Sequence, residues 1–407
     1  MVRMCKPKGA NMNFVFISPQ FPDTYWQWCA ALKRNGANVL GVGDTPYDFI
    51  SDELKGVLTE YYWVSSLEDY DQVFRAVAFF SWKYGKIDWL ESNNEYWLSQ
   101  DARLRDDFHI TTGPSSAQMA QWQSKAEMKP LYAAAGVPTA RQIRATTLRA
   151  AQAFAKKVGY PLFTKPEKGV GAGGVKKLED AEALKAFFAE LPAEPYVIEE
   201  YITAELCSYE AILDSQGNPL FENQSEFQPS IAEVVEKELD VAYHTCPDVD
   251  PRLAERGRAT AKAFGITCRF VHMEFFRLTD ERPGLGKPGD YVGLEVNVRA
   301  PGGFTPDLIN YAHSSDVYQI WADMVCFDKR RTPESDDTYF CCYVARRDGK
   351  EYVHSHEEVM ERYGDKMVLQ RRVPDVLSDD LGNIMYVVRL KTEEERLEYE
   401  DFVMERR

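Results

Sequence analysis

The chain reads as an α/β protein that opens on a doubly wound parallel sheet and continues into α+β domains. Three observations carry this reading. Asn13–Ile17 and Asn38–Val42 are short β runs joined by an amphipathic helical stretch, Tyr25–Asn35, which together have the length of one βαβ unit. Strand patterns at Glu60–Val64 and Ile87–Glu91, with a helical pattern at Tyr70–Tyr84 between them, continue the alternation. Further on, Arg269–Arg277 and Gly293–Arg299 alternate apolar and polar residues around a loop, Thr279–Asp290, rich in Gly, Pro and charge, as an antiparallel strand pair would.

In chain order, the loop Ser18–Asp23 after the first strand lacks GxGxxG, so dinucleotide binding is not indicated. Ligands of such sheets sit at the carboxyl ends of strands, which makes Ser18, Gln20, Glu91 and Asn93 substrate-facing candidates, or simply loop residues. Helices are predicted over Ser116–Ala135, Leu148–Val158 and Asp180–Glu190. The first ends at Gly136-Val-Pro138, a helix stop by chemistry. Tyr160–Lys165 and Tyr196–Ile202 read as strands. Ser208–Leu213 and Pro219–Asn223 pair across a Ser-Gln-Gly-Asn turn. Arg252–Phe264 and Asp307–Met324 are predicted helices, followed by a charged linker, Lys329–Asp337. β runs at Thr338–Ala345 and Asn383–Leu390 and an acidic helix from Thr392 close the chain. The domains expected are residues 1–115, 116–202, 203–328 and 338–407, the last a cap over the site or a homodimer interface.

Composition narrows the function classes. With 48 Lys and Arg against 64 Asp and Glu the net charge is −16, which argues against nonspecific nucleic-acid binding but leaves room for a local anion pocket. The eight cysteines form no CxxC pair and no zinc spacing with the six histidines. His354 and His356 read as surface residues in an acidic segment. No apolar stretch of about 18 residues appears, and Met1–Met12 lacks an apolar core. A cytoplasmic, reduced protein without membrane partners is expected.

The candidate chemistry begins with Glu295, Asn297 and Arg299, which alternate on one strand and so share a face. Two oxygen ligands suit a hard cation such as Mg2+ (or Mn2+), and an arginine forks onto phosphate or carboxylate. A strand with one solvated face has the same alternation. Glu274, on the neighbouring predicted strand, points the same way; two carboxylates about 5 Å apart repel unless a cation lies between them. Upstream, Lys165 precedes Pro166–Gly174, where Gly169, Gly171, Gly173 and Gly174 can bring backbone N–H groups close to phosphate oxygens. The same glycines also suit a surface hairpin, and no Lys-Ser or Lys-Thr closes a P-loop. Val197–Ile202 carries two adjacent glutamates in an apolar run, a carboxylate and hinge backbone that match the donor and acceptor edge of adenine.

Taken in order, Lys125, Lys165 with its glycine loop, Glu199-Glu-Tyr-Ile202, Glu274 and Glu295-x-Asn-x-Arg299 resemble the ATP-grasp superfamily of ligases over roughly residues 12 to 330. The segment Ser124-Lys125 to Gly136-Val-Pro138 looks like that family's entry to its ATP-binding half. The resemblance implies a Rossmann-like domain ahead of an ATP-grasp fold, with ATP and Mg2+. Lys125 and Lys165 would contact the phosphates, Gly169 to Gly174 would cover them, and Glu199 with the Tyr201-Ile202 backbone would hold adenine. Glu274, Glu295 and Asn297 would bind the metal, and Arg299 would stabilise the acyl phosphate or the substrate carboxylate. His272, one alternation before Glu274, lines the same face or is a satisfied sheet histidine. The ribose carboxylate expected near Leu206 is missing, with Glu205 or Glu210 as replacements, and Thr279–Asp290 is an insertion. The implied activity is a carboxylate–amine ligase acting on a small carboxylate and a small amine. A bicarbonate-activating carboxylase or carbamoyl-phosphate-type enzyme and a nucleotide-binding regulatory protein are the alternatives; the absence of a carrier segment and the presence of both lysines, three metal ligands and Arg299 disfavour them.

Overall fold

The computed structural model describes residues 11–169, 174–227 and 239–407. Its first sheet is parallel, in the order β3-β2-β1-β4, from β1 (Asn13–Ile17), β2 (Asn38–Gly43), β3 (Glu60–Trp63) and β4 (Trp89–Glu91). Every residue of β1 is buried, because helices cover both faces. Phe14 and Phe16 pack with Trp28 of the helix Trp26–Arg34, while Val15 and Ile17 pack with Val73 and Phe80 of Tyr70–Tyr84.

A second, antiparallel sheet is ordered β5-β8-β6-β7, from β5 (Gln142–Arg144), β6 (Leu162–Pro166), β7 (Lys176–Leu178) and β8 (Tyr196–Glu200). The helices Leu148–Val158 and Ala181–Ala189 back it through Phe154, Leu184 and Phe187. The third sheet has eight strands in the order β13-β12-β9-β10-β11-β14-β16-β15. These are β9 (Ala204–Leu213), β10 (Pro219–Phe227), β11 (Val241–Thr245), β12 (Arg269–Leu278), β13 (Tyr291–Asn297), β14 (Phe340–Arg346), β15 (Met367–Arg372) and β16 (Ile384–Leu390). The last three continue the sheet that holds Glu274 and Glu295. Strands β11 and β15 carry no clean alternation and were not expected from sequence.

Two predicted helices are each a pair. Ser116–Ala135 breaks into Ser116–Trp122 and Met128–Ala134, because the intervening polar groups find better partners outside the helix. The Lys125 N–H donates to the Glu167 carbonyl at 2.9 Å, and Ser124 Oγ donates to the Glu167 carboxylate at 2.6 Å. Asp307–Met324 becomes Thr305–Ala312 and Val317–Phe327, since Asp316 caps the second helix by accepting from the Gln319 N–H.

Strand β13 is an edge of its sheet. Its outer side meets the segment after Gly136: the Gly293 N–H donates to the Pro138 carbonyl at 2.8 Å, and Thr139 bridges to Gly293 in parallel. The absence of a side chain at Gly293 lets the Tyr132 ring pack there, since a Cβ would stand 2.4 Å from its Cε1. The first sheet is joined to the third by a buried ion pair, Glu91 at the end of β4 and Arg269 at the start of β12. The seven cysteines within the described residues are free and buried. No helix among the described residues is long and apolar enough to cross a membrane.

Candidate active site

The strand pair β12–β13 sets Glu274 directly opposite Glu295, and His272 opposite Asn297. The register shifts between Glu274 and Phe275, so Leu294 is an extra residue on β13 and the ladder bends beside Glu295. Both carboxylates retain partial exposure. Burial pushes Glu295 above the usual carboxylate range, with Lys125 opposing and the Glu274 charge adding to the shift. For Glu274 burial acts in the same direction, but His272, Arg299 and Lys125 together outweigh it and hold that carboxyl low. Two facing acids of unequal proton affinity, with the Asn297 amide on the same cavity as Glu295, form a hard oxygen donor set that fits Mg2+. Among the described residues no group of three His, Cys, Asp or Glu side chains is gathered for a metal, so a cation here would draw on the Asn297 amide oxygen beside the two carboxylates.

The break between the helices presents Lys125, whose Nζ lies 3.1 Å from Glu295 Oε1. Lys165, on β6, lies 2.7 Å from Glu199 Oε2. The phosphate-facing lysines expected from sequence are thus held by the acids around them. Burial pulls the Lys165 pKa down, but Glu199, then Glu295 and Glu274, reverse the shift and leave it raised.

Four expectations are corrected by the geometry. Glu199 does not present a free carboxylate to a base edge: Lys129 and Gln142 donate to Oε1 at 2.8 and 2.7 Å, and Lys165 to Oε2. Burial would raise its pKa, yet Lys165 and Lys129 bring it to about 2. Glu210 faces no ribose, because it is fully buried between His272 Nδ1 and Asn223 Nδ2, each 2.7 Å away. Strand β13 ends at Asn297, so Arg299 lies beyond it, donating from Nε to Glu95 Oε2 at 2.9 Å and from a terminal nitrogen to the Ala300 carbonyl. Glu91 is a buried counterion of Arg269 rather than a substrate-facing group.

Tyr201 and Ile202 belong to no strand; the Tyr201 ring packs near Phe163 and under Lys177 Nζ, and Ile202 is buried against Val292. Gly169 is part of the cavity wall. Gly174 adopts φ +74° with the Tyr196 hydroxyl 2.5 Å from where a Cβ would stand, a position only glycine fills without strain. Gly171 and Gly173 lie outside the described residues. His272 bridges Glu210 and Glu274; burial alone would lower its pKa, but the two carboxylates lift it to about 9. A cavity of about 340 Å³ adjoins the strand edge, with Glu95, Met119, Trp122, Lys168, Glu295 and Asn297 among its walls.

Sequence reasoning did not single out Lys129, Glu95 or Glu167. Lys129 and Glu95 carry no local signal, since each looks like any charged residue on a helical surface. Glu167, inside the glycine-rich segment, takes Arg144 and Ser124 and so anchors the start of that segment beside Lys125.

Residues 124–227 match the family model described as carbamoyl-phosphate synthase L chain, ATP binding domain. An uncharacterized protein of Sinorhizobium fredii, y4rH, is 27% identical over 224 residues, which is 50% of this chain and 42% of that protein. The carbamoyl phosphate synthase large chain of Streptomyces coelicolor is 27% identical over 162 residues, 39% of this chain and 14% of its own length. The chain thus spans less than half the length of these relatives. The crystal structure of the L-amino acid ligase from Bacillus licheniformis superposes with a TM-score of 0.69 at 15% identity, covering 97% of this chain and 98% of that one. From the parallel sheet through the strand pair of Glu274 and Glu295 to the final strands, this chain has the ATP-grasp fold.

Proposed function

We propose that this ATP-grasp protein is an ATP-dependent ligase that activates a small-molecule carboxylate as an acyl phosphate and joins it to an amine. The observation that supports this most directly is the cluster itself: Lys125 from the break between two helices, Lys165 from β6, Glu274 from β12 and Glu295 and Asn297 from β13 converge on one strand edge beside an open cavity. In the first step a substrate carboxylate oxygen attacks the γ-phosphorus of ATP, the bond to the bridging β–γ oxygen breaks, and ADP leaves. The amine nitrogen then attacks the acyl carbon, loses a proton to solvent, and phosphate departs.

The chain's part is to place and neutralise charge. Lys125 and Lys165 move from their acids toward the phosphates. Gly169 and Gly174 offer backbone N–H groups to them, and the Tyr201–Ile202 backbone takes the adenine edge. Arg299, held by Glu95 at the cavity, meets the acyl phosphate or the substrate carboxylate. Glu274, Glu295 and Asn297 hold Mg2+, which supplies Lewis-acid neutralisation of the phosphate oxygens. The chain works on small molecules, in the cytoplasm, as a homodimer in this reading, with no role for nucleic acid or membrane.

A second reading, bicarbonate as the activated carboxylate, is favoured by the match of residues 124–227 to the carbamoyl-phosphate synthase domain. Phosphate release with ATP and Mg2+ against pools of amino acids and dipeptides, with bicarbonate in a separate arm, distinguishes the two. Release with an amino-acid pool is expected; release only with bicarbonate overturns the amide-ligase reading. Glu295→Ala is expected to abolish Mg2+-dependent release with the fold intact, and unchanged turnover removes the metal assignment.

A further inference from the structure

We infer that Lys129 is a positioning residue for the nucleotide phosphates: it keeps Glu199 neutralised so that Lys165 can leave that acid for the phosphates. The inference rests on the ATP site proposed above. Glu199 is almost completely buried, and its two oxygens are divided between Lys129 Nζ at 2.8 Å and Lys165 Nζ at 2.7 Å, with Gln142 Nε2 sharing the Lys129 side.

A buried carboxylate with a single lysine binds that lysine tightly, because separating the pair strands a charge away from water. Lys165 alone against Glu199 would be such a neutral, locked pair, poorly able to serve an incoming phosphate. With Lys129 the trio carries a surplus positive charge, and the acid keeps one ion-pair partner and one amide donor when Lys165 turns away. Lys129 is suited to the stationary part. It sits in the first turn of the helix Met128–Ala134, whose Tyr132 is wedged against Gly293, whereas Lys165 lies on β6, the strand that runs into the glycine-rich segment.

The test is calorimetric binding of ADP with Mg2+, and separately of adenosine, to the full chain, which needs no knowledge of the other substrates. Lys129→Met is expected to weaken ADP roughly tenfold, ~1.4 kcal/mol, a loss typical of one charge-assisted contact, while adenosine binding stays within about twofold. Lys129→Arg, which keeps the charge, is expected to bind ADP as the unaltered chain does. In the double variant Lys129→Met/Glu199→Gln the acid that holds Lys165 is gone, and ADP affinity is expected to return. Equal loss of ADP and adenosine, undiminished ADP binding by Lys129→Met, or a Lys129→Arg variant as weak as Lys129→Met each overturns the inference. Failure of the unaltered chain to bind ADP overturns instead the ATP site on which it rests.

Discussion

Replacing Arg269 by Met strips Glu91 of its counterion in a place that water does not reach. Glu91 is 0% and Arg269 2% exposed. What remains for the carboxylate is one neutral donor, Trp89 Nε1 at 3.2 Å, while its other oxygen, Oε1, has no partner at all. Breaking a buried pair from one side costs about 3–5 kcal/mol. The lower end applies here, because the buried Arg105 guanidinium lies within electrostatic reach of both Glu91 and Arg269 and takes up part of the stranded charge. Glu91→Gln removes the charge yet keeps an acceptor for Trp89, so Glu91→Gln/Arg269→Met is expected to recover about 2 kcal/mol of the loss of Arg269→Met alone. Guanidinium unfolding of the four proteins in this cycle, followed by tryptophan fluorescence, measures both numbers. A loss below about 1 kcal/mol for Arg269→Met, or a coupling energy near zero, refutes the claim that this ion pair fastens the first sheet to the third.

Gly293→Ala would place a Cβ 2.4 to 2.9 Å from three atoms of the fully buried Tyr132 ring, an overpacking expected to cost about 1–3 kcal/mol in the same unfolding assay, with Tyr132→Leu restoring part of it. Asp101 supplies a pH dependence. Its burial, only partly opposed by Arg105, raises the folded-state pKa to about 7 from an unfolded value near 3.8. The folded chain therefore holds a proton that the unfolded chain has lost, and stability falls as pH rises from about 4 to 7. Asp101→Asn, whose amide oxygen still accepts from the Ser92 N–H and hydroxyl, is expected to flatten that fall, and a difference between the two proteins that does not grow across this window refutes the assignment.

The facing of Glu274 and Glu295 was legible because a strand has a period of two, and a hairpin loop fixes which runs pair. The extra residue at Leu294 was not, since a bulge depends on the partner strand and leaves no mark on the local pattern. The breaking of Ser116–Ala135 was legible only in part: Pro130 fits the first turn of a helix and not its interior, whereas the tertiary bonds from Ser124 and Lys125 to Glu167 that hold the unwound middle leave no local mark. Glu199 was singled out from the sequence, but its partners were not. Its partners are a lysine diagonal to it on β6 and another more than 60 residues upstream on a helix, and neither proximity is encoded near residue 199. Strand β11 escaped notice because it lies between β10 and β14 with all its residues buried, and β15 because it is an edge strand with no fully buried residue, so neither shows an alternation.

The bond from the Gly293 N–H to the Pro138 carbonyl has a colloidal consequence as well as a local one. A rim strand displays a row of unused amide groups that another chain's extended segment can copy onto, and β13 is the rim of the longest sheet in the molecule. Here the turn leaving the helix of Lys129 is laid along part of that row. Loosening residues 136–139 would thus do more than disturb the proposed nucleotide site; it would uncover a template for intermolecular β pairing, so that variants there are expected to precipitate before they unfold.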